Sequence, residues 1–139
     1  MIDSFEGKYR FLSNFHMCEI THDGIIYPST EHAYQAAKTL DFHIRKALSQ
    51  VKTPGQVKRS GTRVQLREDW EDIKLNIMEE VNYLKFAQHK DLRVKLLATG
   101  QEELVEGNTW GDKFWGVCDN EGQNWLGKIL MKVRERFSE

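Results

Sequence analysis

Apolar positions along the chain recur mostly at helical spacing, and they predict a protein built mainly from helices. The clearest case is the segment DWEDIKLNIMEEVNYLKFAQH, whose apolar residues repeat at steps of three and four. These residues are Trp70, Ile73, Ile77, Val81 and Leu84. The segment NWLGKILMKVRERF repeats the pattern, with Trp125 on the apolar stripe. Both tryptophans are therefore most simply interpreted as core residues.

Polar residues that favour helix N-termini precede further helical segments. The predicted caps are Ser29 or Thr30 for STEHAYQAAKTL, Asp41 for DFHIRKALSQVK and Thr53 for TPGQVKRSG. In the last of these, Pro54 takes the first helical position and Gly61 ends the helix. The segment LRVKLLATG predicts another helix, which Gly100 ends.

Strand signals are few. The segments MCEIT and IIYP predict two short strands joined by a tight turn at Asp23 and Gly24. EELVEG and FWGVCD are also predicted as short strands. The whole pattern predicts an α+β fold, a helix-rich single domain with a small antiparallel sheet that spans residues 1–139.

Composition excludes several classes of protein. The formal net charge of −1 excludes a general polycation, and no apolar run approaches the roughly 18 residues that a membrane span needs. The two cysteines, Cys18 and Cys118, form no C-x-x-C pattern, so a disulfide scaffold and a zinc knuckle are not indicated. The N-terminal segment has no signal-peptide pattern. We therefore expect a cytoplasmic protein that does not enter a membrane.

The charge is unevenly distributed. Seven of the 20 basic residues lie between residues 43 and 67, and none of the 21 acidic residues does. Such a run is often a solvated helix face. It can equally be a patch that meets phosphate, and the run by itself does not decide between the two.

Glu31 is the first residue with candidate chemistry. It falls in the first turn of its predicted helix, where free N–H groups favour an ionised carboxylate. The simpler interpretation is a favourable capping charge. The functional interpretation makes Glu31 an anion that faces a site, with Tyr34, Gln35 and Lys38 on the same helix face.

Metal and nucleophile motifs are missing. His32 follows Glu31, but no H-E-x-x-H, H-x-H or cysteine pair accompanies it, so surface or capping roles are expected for the histidines. The sequence also has no G-x-S-x-G elbow, P-loop or G-x-G-x-x-G.

Two segments rich in aromatic and amide groups leave alternatives open. In RFLSNF, Asn14 could bond within a loop whose phenylalanines fill the core, or Asn14 and Arg10 could reach a ligand. In the stretch TWGDKFWG, Trp110 and Trp115 flank Asp112. An indole face beside a carboxylate suits a flat heterocycle attached to a sugar, but core packing explains these residue types equally well.

Taken in order, these segments resemble the YbiA/NADAR family over nearly the whole chain, from Phe11 to Arg134. The family pattern E-H-x-x-Q-x-x-K matches at Glu31, His32, Gln35 and Lys38. The pattern D-x-x-W-G matches at Asp112, Trp115 and Gly116, and G-x-N-x-L-G matches at Gly122, Asn124, Leu126 and Gly127. The resemblance implies a YbiA-like fold and an N-glycosidase, that is, a hydrolase of N-glycosyl bonds.

Two substrate classes follow from the resemblance. One branch of the family acts on ribosylamino-pyrimidine phosphates of early riboflavin synthesis, and another removes ADP-ribose from guanine in nucleic acid. Cleavage of a ribosyl C–N bond builds positive charge on the sugar, so a nearby anion is needed. We assign the two carboxylates to Glu31 and Asp112, with no metal, redox cofactor or obligatory protein partner. The proposed substrate-binding residues are Arg10, Asn14, Tyr34, Lys38, Lys58, Trp110 and Trp115.

Two alternatives to catalysis remain. A binding module for ADP-ribose or a NAD derivative would keep the tryptophans and basic residues but would not need two carboxylates. A plain interaction protein would need none of these groups. The presence of both Glu31 and Asp112 favours the enzyme.

Overall fold

A computed structural model describes residues 1–139, and it confirms the helix-rich α+β class with one small antiparallel sheet. In chain order the elements are a 3₁₀ helix (Gly7–Leu12), β1 (Ile20–His22), β2 (Ile25–Tyr27), α1 (Thr30–Ala36), α2 (Phe42–Ser49), α3 (Pro54–Gly61), α4 (Trp70–Gln88), α5 (Lys90–Ala98) and α6 (Trp125–Ser138). No helix is long and apolar enough to cross a bilayer.

The chain divides into two compact units. The central unit comprises residues 14–88, and the terminal unit combines residues 1–13 with residues 89–139. The single domain over residues 1–139 stays a prediction.

The central unit is organised around α1, in which every residue is buried. Helix α1 contacts α2, α3, α4 and both strands. The strands pair as predicted, with Ile20 opposite Tyr27. Asp23 and Gly24 join them with φ values of 49° and 80°, as the tight hairpin turn requires. The unit therefore encloses the helix that carries Glu31.

The predicted helix caps of the central unit are confirmed. The side chains of Ser29, Asp41 and Thr53 each accept a hydrogen bond from the backbone N–H three residues later. Gly61 does end α3, but Thr62 follows it in ordinary right-handed helical conformation. Glycine at position 61 is therefore not needed for a left-handed turn, and its role lies in packing.

The terminal unit departs from the sequence prediction in its loops. The strands predicted for EELVEG and FWGVCD are wrong, because these segments form only isolated bridges: Ile2 with Leu104, Gly107 with Val117, and Cys118 with Glu121. Part of this backbone is bound by a side chain instead: Asn124 accepts from the Glu106 N–H and donates to the Leu104 carbonyl. Backbone groups that a side chain has bound are not available to extend a ladder.

The two helical tryptophans have different environments. Trp70 is buried, as predicted for a core residue. Trp125 is only half-buried, so its assignment to the core is wrong. Its indole N–H donates to Gln123 Oε1 at 2.8 Å, and the Lys128 ammonium lies 4.6 Å from its ring centroid.

Candidate active site

Glu31 is a buried carboxylate in the first turn of α1. Its backbone N–H donates to the Asn14 carbonyl at 3.2 Å, which ties α1 to the segment before the hairpin. One turn along the helix, Gln35 Nε2 donates to Glu31 Oε1 at 3.0 Å. A buried carboxylate normally requires such a donor, since burial without one disfavours its charged form.

Two lysines of the central unit lie within electrostatic reach of each other, and the Lys38 ammonium group is also within reach of the Glu31 carboxylate. Burial lowers the pKa of Lys38, the Glu31 carboxylate raises it, and the Lys58 ammonium lowers it again. Lys38 Nζ lies 5.9 Å from the centroid of the Tyr34 ring, and Lys58 Nζ lies 5.9 Å from that of Phe15. The central unit thus brings together four residues that the sequence proposed: Glu31, Tyr34, Lys38 and Lys58.

Tyr34 packs against a second aromatic ring, that of Trp70. Its ring centroid lies 5.2 Å from that of Trp70, with the ring planes tilted by 57°. Both side chains are buried. The spacing of Trp70 predicted core packing, and nothing in that pattern showed that its partner is Tyr34. Helix α1 ends at Ala36, so Lys38 lies in the turn that follows it and not on the predicted helix face.

Asn14 is buried and makes its hydrogen bonds inside the central unit. Its Oδ1 accepts from Thr30 Oγ1 at 2.8 Å and from Asn82 Nδ2 at 3.2 Å. Its Nδ2 lies 3.2 Å from Met78 Sδ. This geometry favours the structural alternative for Asn14, with side chains rather than backbone as partners. A ligand contact of Asn14 stays a prediction.

His32 is completely buried and has a structural role. Its Nε2 donates to the carbonyl oxygen of Val51 at 2.8 Å, so Nδ1 is the nitrogen that accepts from Ser29 Oγ at 2.7 Å. Burial lowers the pKa of His32 below its ordinary value. No group of three or more His, Cys, Asp or Glu side chains in residues 1–139 could hold a metal ion.

Asp112 organises its own loop in the terminal unit. Its Oδ1 accepts from the backbone N–H groups of Phe114 at 3.1 Å and Trp115 at 2.9 Å. The Asn108 side chain stabilises the same turn: it donates to the Asp112 carbonyl and accepts from the Asp112 N–H. The spacing D-x-x-W therefore fixes a turn that positions Trp115, and one carboxylate oxygen of Asp112 is committed to it.

The two candidate stacking tryptophans differ in exposure. Trp115 is half-buried and meets Phe114 edge to face, with ring centroids 4.8 Å apart. Trp110 is 60% exposed, which excludes core packing for this residue. It lines an open groove of about 610 Å³ whose lining includes Asp3 and Glu6 but neither Glu31 nor Asp112. Arg10 is exposed near the end of the 3₁₀ helix.

Sequence reasoning missed one further acid in the terminal unit. Glu106 is half-buried, and its Oε2 accepts from Asn108 Nδ2 at 2.9 Å. A Cβ at Gly116 would overlap that carboxylate oxygen, so glycine is required there. The segment EELVEG contains three glutamates, and its spacing does not distinguish the third.

The proposed residues thus fall into two sets, Glu31 with Tyr34, Lys38 and Lys58 in the central unit, and Asp112 with the exposed or half-buried tryptophans in the terminal unit. Residues 3–138 match the model of the NADAR domain. The chain belongs to the NADAR domain family. The resemblance inferred from the sequence motifs is confirmed.

Characterised NADAR relatives cover most of the chain. N-glycosidase YbiA of Shigella sonnei is 40% identical over 138 residues, which are 97% of this chain and 86% of the relative. A riboflavin biosynthesis protein of Vibrio vulnificus is 41% identical over 137 residues, but this chain spans only 37% of its length. The NMR structure of Escherichia coli YbiA superimposes with a TM-score of 0.85 at 36% identity and covers 99% of this chain and 87% of that one.

The NADAR motif G-x-N-x-L-G has a structural explanation. Asn124 adopts a left-handed conformation, with φ of 54°, and its Nδ2 donates to the Leu104 carbonyl at 3.0 Å. A Cβ at Gly127 would overlap that same carbonyl oxygen. The motif therefore joins the start of α6 to the segment that leads to Glu106.

Proposed function

We propose that this chain is an N-glycosidase that hydrolyses the C–N bond between ribose and a base. The proposed substrates are ADP-ribosylated guanine in nucleic acid and the ribosylamino-pyrimidine phosphates of riboflavin synthesis. Relatives named N-glycosidase, aligned over nearly the whole chain, support the reaction class, and the name of the Vibrio relative supports the second substrate. The observation that carries the proposal is the buried Glu31 carboxylate, whose charge raises the pKa of the nearby Lys38 ammonium group.

Glu31 suits the developing charge of this reaction. As the C–N bond breaks, the sugar gains oxocarbenium character, and an ionised carboxylate stabilises it more strongly inside a protein than in water. Water then supplies a hydroxyl group to the anomeric carbon, and its proton goes ultimately to the leaving base. Glu31 either faces the cationic sugar or activates that water. Gln35 already donates to one oxygen of its carboxylate, Oε1.

Lys38 and Lys58 suit a phosphate group. Both proposed substrates carry phosphate, and the two lysines lie close enough for the charge of one to lower the pKa of the other. A bound phosphate would relieve this repulsion. The acid-free run between residues 43 and 67 thereby gains a function, since it contains Lys58.

The terminal unit carries the second group of proposed residues. Asp112 is the second carboxylate, and the oxygen not used by the loop is the one that we assign to the sugar or the leaving group. Trp115 and the exposed Trp110 offer faces for a base, and Arg10 offers a polar contact. Neither cysteine forms a disulfide, which fits the cytoplasmic location that we propose.

The test uses both substrates and separates catalysis from binding. Wild type, Glu31→Gln and the exposed control Glu68→Gln are incubated with an ADP-ribosylated guanine oligonucleotide and with a ribosylamino-pyrimidine phosphate, and released products are identified by mass spectrometry. Glu31→Gln should lower kcat by about 10²- to 10⁴-fold, whereas Glu68→Gln should not. Wild type that binds a substrate without releasing product would instead support the binding module.

A further inference from the structure

Gln35 makes an unequal pair of contacts in the interior of the central unit. Its side chain is buried, and its Nε2 donates to Glu31 Oε1 at 3.0 Å. Its own Oε1 is buried as well and accepts no hydrogen bond within the protein. Buried acceptors without a donor are uncommon because they lose hydration and gain nothing in return. The amide N–H of Gln35 thus binds the Glu31 carboxylate, while the amide oxygen has no hydrogen-bond donor in the protein.

Gly61 provides the space that the Gln35 amide occupies. A Cβ built at this position would overlap Gln35 Oε1 and would lie 2.6 Å from Cδ and 3.2 Å from Cγ. The glutamine side chain thus occupies the space that any other residue at position 61 would fill. Because α1 packs against α3, Gly61, the last residue of α3, lies beside the Gln35 side chain.

The orientation of the amide also matters. If the amide were rotated by half a turn, its oxygen would face the Glu31 carboxylate and its two N–H groups would face Gly61. Two oxygens bearing negative charge would then lie at hydrogen-bond distance, which an ionised carboxylate disfavours. The observed orientation is the one that an ionised Glu31 selects.

We propose that Gln35 is a positioning residue for the reaction: the absence of a side chain at Gly61 leaves room for its amide, which fixes the Glu31 carboxylate in one orientation and favours its ionised form. This inference rests on the proposed catalytic role of Glu31. It assigns functions to Gln35 and Gly61, neither of which is among the proposed catalytic or substrate-binding residues. It also explains why glycine stands at a helical position where its conformational freedom is not used.

The test removes the hydrogen bond to Glu31 in two ways. Gln35→Met keeps the length and removes the N–H groups, and Gln35→Asn keeps the amide but is too short to reach Glu31. In both variants kcat should fall by about 10- to 100-fold while KM changes little, since a hydrogen bond to a charged group is lost. The acidic limb of the kcat–pH profile should move to higher pH by about one unit, because the carboxylate loses a donor that favoured its charge.

A second pair of variants tests the packing half of the inference. Gly61→Ala should displace the Gln35 amide and reproduce the kinetic change. Gly55→Ala lies in the same helix, and its added Cβ would meet nothing closer than 3.9 Å, so it should leave kcat and the pH profile unchanged. Circular dichroism and thermal melting of each variant separate a kinetic effect from loss of the fold.

The outcomes distinguish this inference from the proposed function. If Glu31→Gln is inactive while Gln35→Met and Gln35→Asn keep the wild-type kcat and pH profile, the positioning role is wrong and the proposed function stands. If Glu31→Gln keeps full activity, the catalytic role of Glu31 fails, and the positioning role fails with it. A fall in kcat without any shift of the pH profile would contradict the claim that Gln35 favours the ionised form.

Discussion

His32 Nε2 donates a hydrogen bond of 2.8 Å to the carbonyl oxygen of Val51, and the imidazole is completely buried. Burial lowers the pKa of His32, so the folded protein prefers the neutral ring. The unfolded chain binds a proton below about pH 6.5. Between the lowered pKa and that value the unfolded state holds more protons, so the free energy of unfolding must fall as the pH falls.

The first prediction follows from this linkage. The contribution of His32 to the slope is at most about 1.4 kcal/mol per pH unit. Urea unfolding of wild type and His32→Gln between about pH 5 and pH 7.5 gives the free energy of unfolding of each as a function of pH. The difference between the two proteins measures the contribution of His32, because all other titrations are shared. We expect His32→Gln to be less stable at neutral pH and to have a flatter pH dependence. Parallel curves would show that the ring is not held neutral.

The second prediction separates two roles of Asp112. Its Oδ1 accepts the N–H groups of Phe114 and Trp115, and an asparagine at this position can still accept them. Asp112→Ala cannot. If Asp112 acts through its charge, both variants should lose about 10²-fold or more in kcat.

If Asp112 only orders the loop, the two variants diverge. Asp112→Asn would then keep near-normal activity, and Asp112→Ala alone would lose it. Steady-state kinetics on both variants, with near-ultraviolet circular dichroism to follow the environment of Trp115, reads both effects. An active Asp112→Asn would remove the second carboxylate from the proposed mechanism.

The third prediction concerns the motif glycine of α6. A Cβ at Gly127 would overlap the Leu104 carbonyl oxygen and would lie 2.5 Å from Asn124 Oδ1. Backbone cannot yield as a flexible side chain would, so Gly127→Ala should destabilise the protein by roughly 2 kcal/mol or more. Gly55→Ala, with open space around its Cβ, should change stability by less than about 1 kcal/mol. Equal melting temperatures for the two variants would contradict this.

Local interactions were the part of the fold that sequence could predict. Asp41 and Thr53 cap helices through backbone groups three residues away, so the signal and its partner lie in one short segment. The hairpin turn at Asp23 and Gly24 is local in the same sense. Such features need no knowledge of the tertiary structure.

Interactions between residues far apart in the chain could not be predicted from the sequence. The segment EELVEG predicts a short strand, but its backbone pairs only at isolated bridges, and the side chain of Asn124, 18 residues beyond Glu106, accepts the Glu106 N–H. Gly61 predicts a helix end, which is confirmed, but the sequence gives no sign that its neighbour in space is Gln35, on another helix. For the candidate site, residue types and family motifs predict Glu31 and Asp112, whose catalytic roles stay predictions. The turn that occupies one oxygen of Asp112 became visible only in three dimensions.

The fourth prediction concerns a buried lysine in α4. Lys85 is fully buried, and burial lowers its pKa to about 8, while the Cys18 thiol group favours the charged form. The unfolded lysine keeps its proton to about pH 10.4. Above the folded pKa the unfolded state therefore holds more protons, and the free energy of unfolding should rise with pH.

Wild type and Lys85→Met, compared by urea unfolding between about pH 7 and pH 9.5, test this. The range stays below the titration of Tyr27, whose pKa burial raises to about 12. Wild type should gain up to about 2 kcal/mol relative to the variant over this range. A constant difference between the two curves would contradict the lowered pKa of Lys85.

The fifth prediction tests the phosphate role of Lys58. Among the lysines, Lys58 is the one whose charge lowers the pKa of Lys38, and Lys38 is also within reach of the Glu31 charge. Lys58→Ala should raise KM for a phosphate-bearing substrate and lower the slope of log K against log salt by about 0.7 for a single-stranded oligonucleotide. Lys52→Ala removes a charge from the same basic run and serves as the matched control. If both variants flatten the salt dependence equally, the run acts as a general basic surface, and a specific phosphate contact by Lys58 is ruled out.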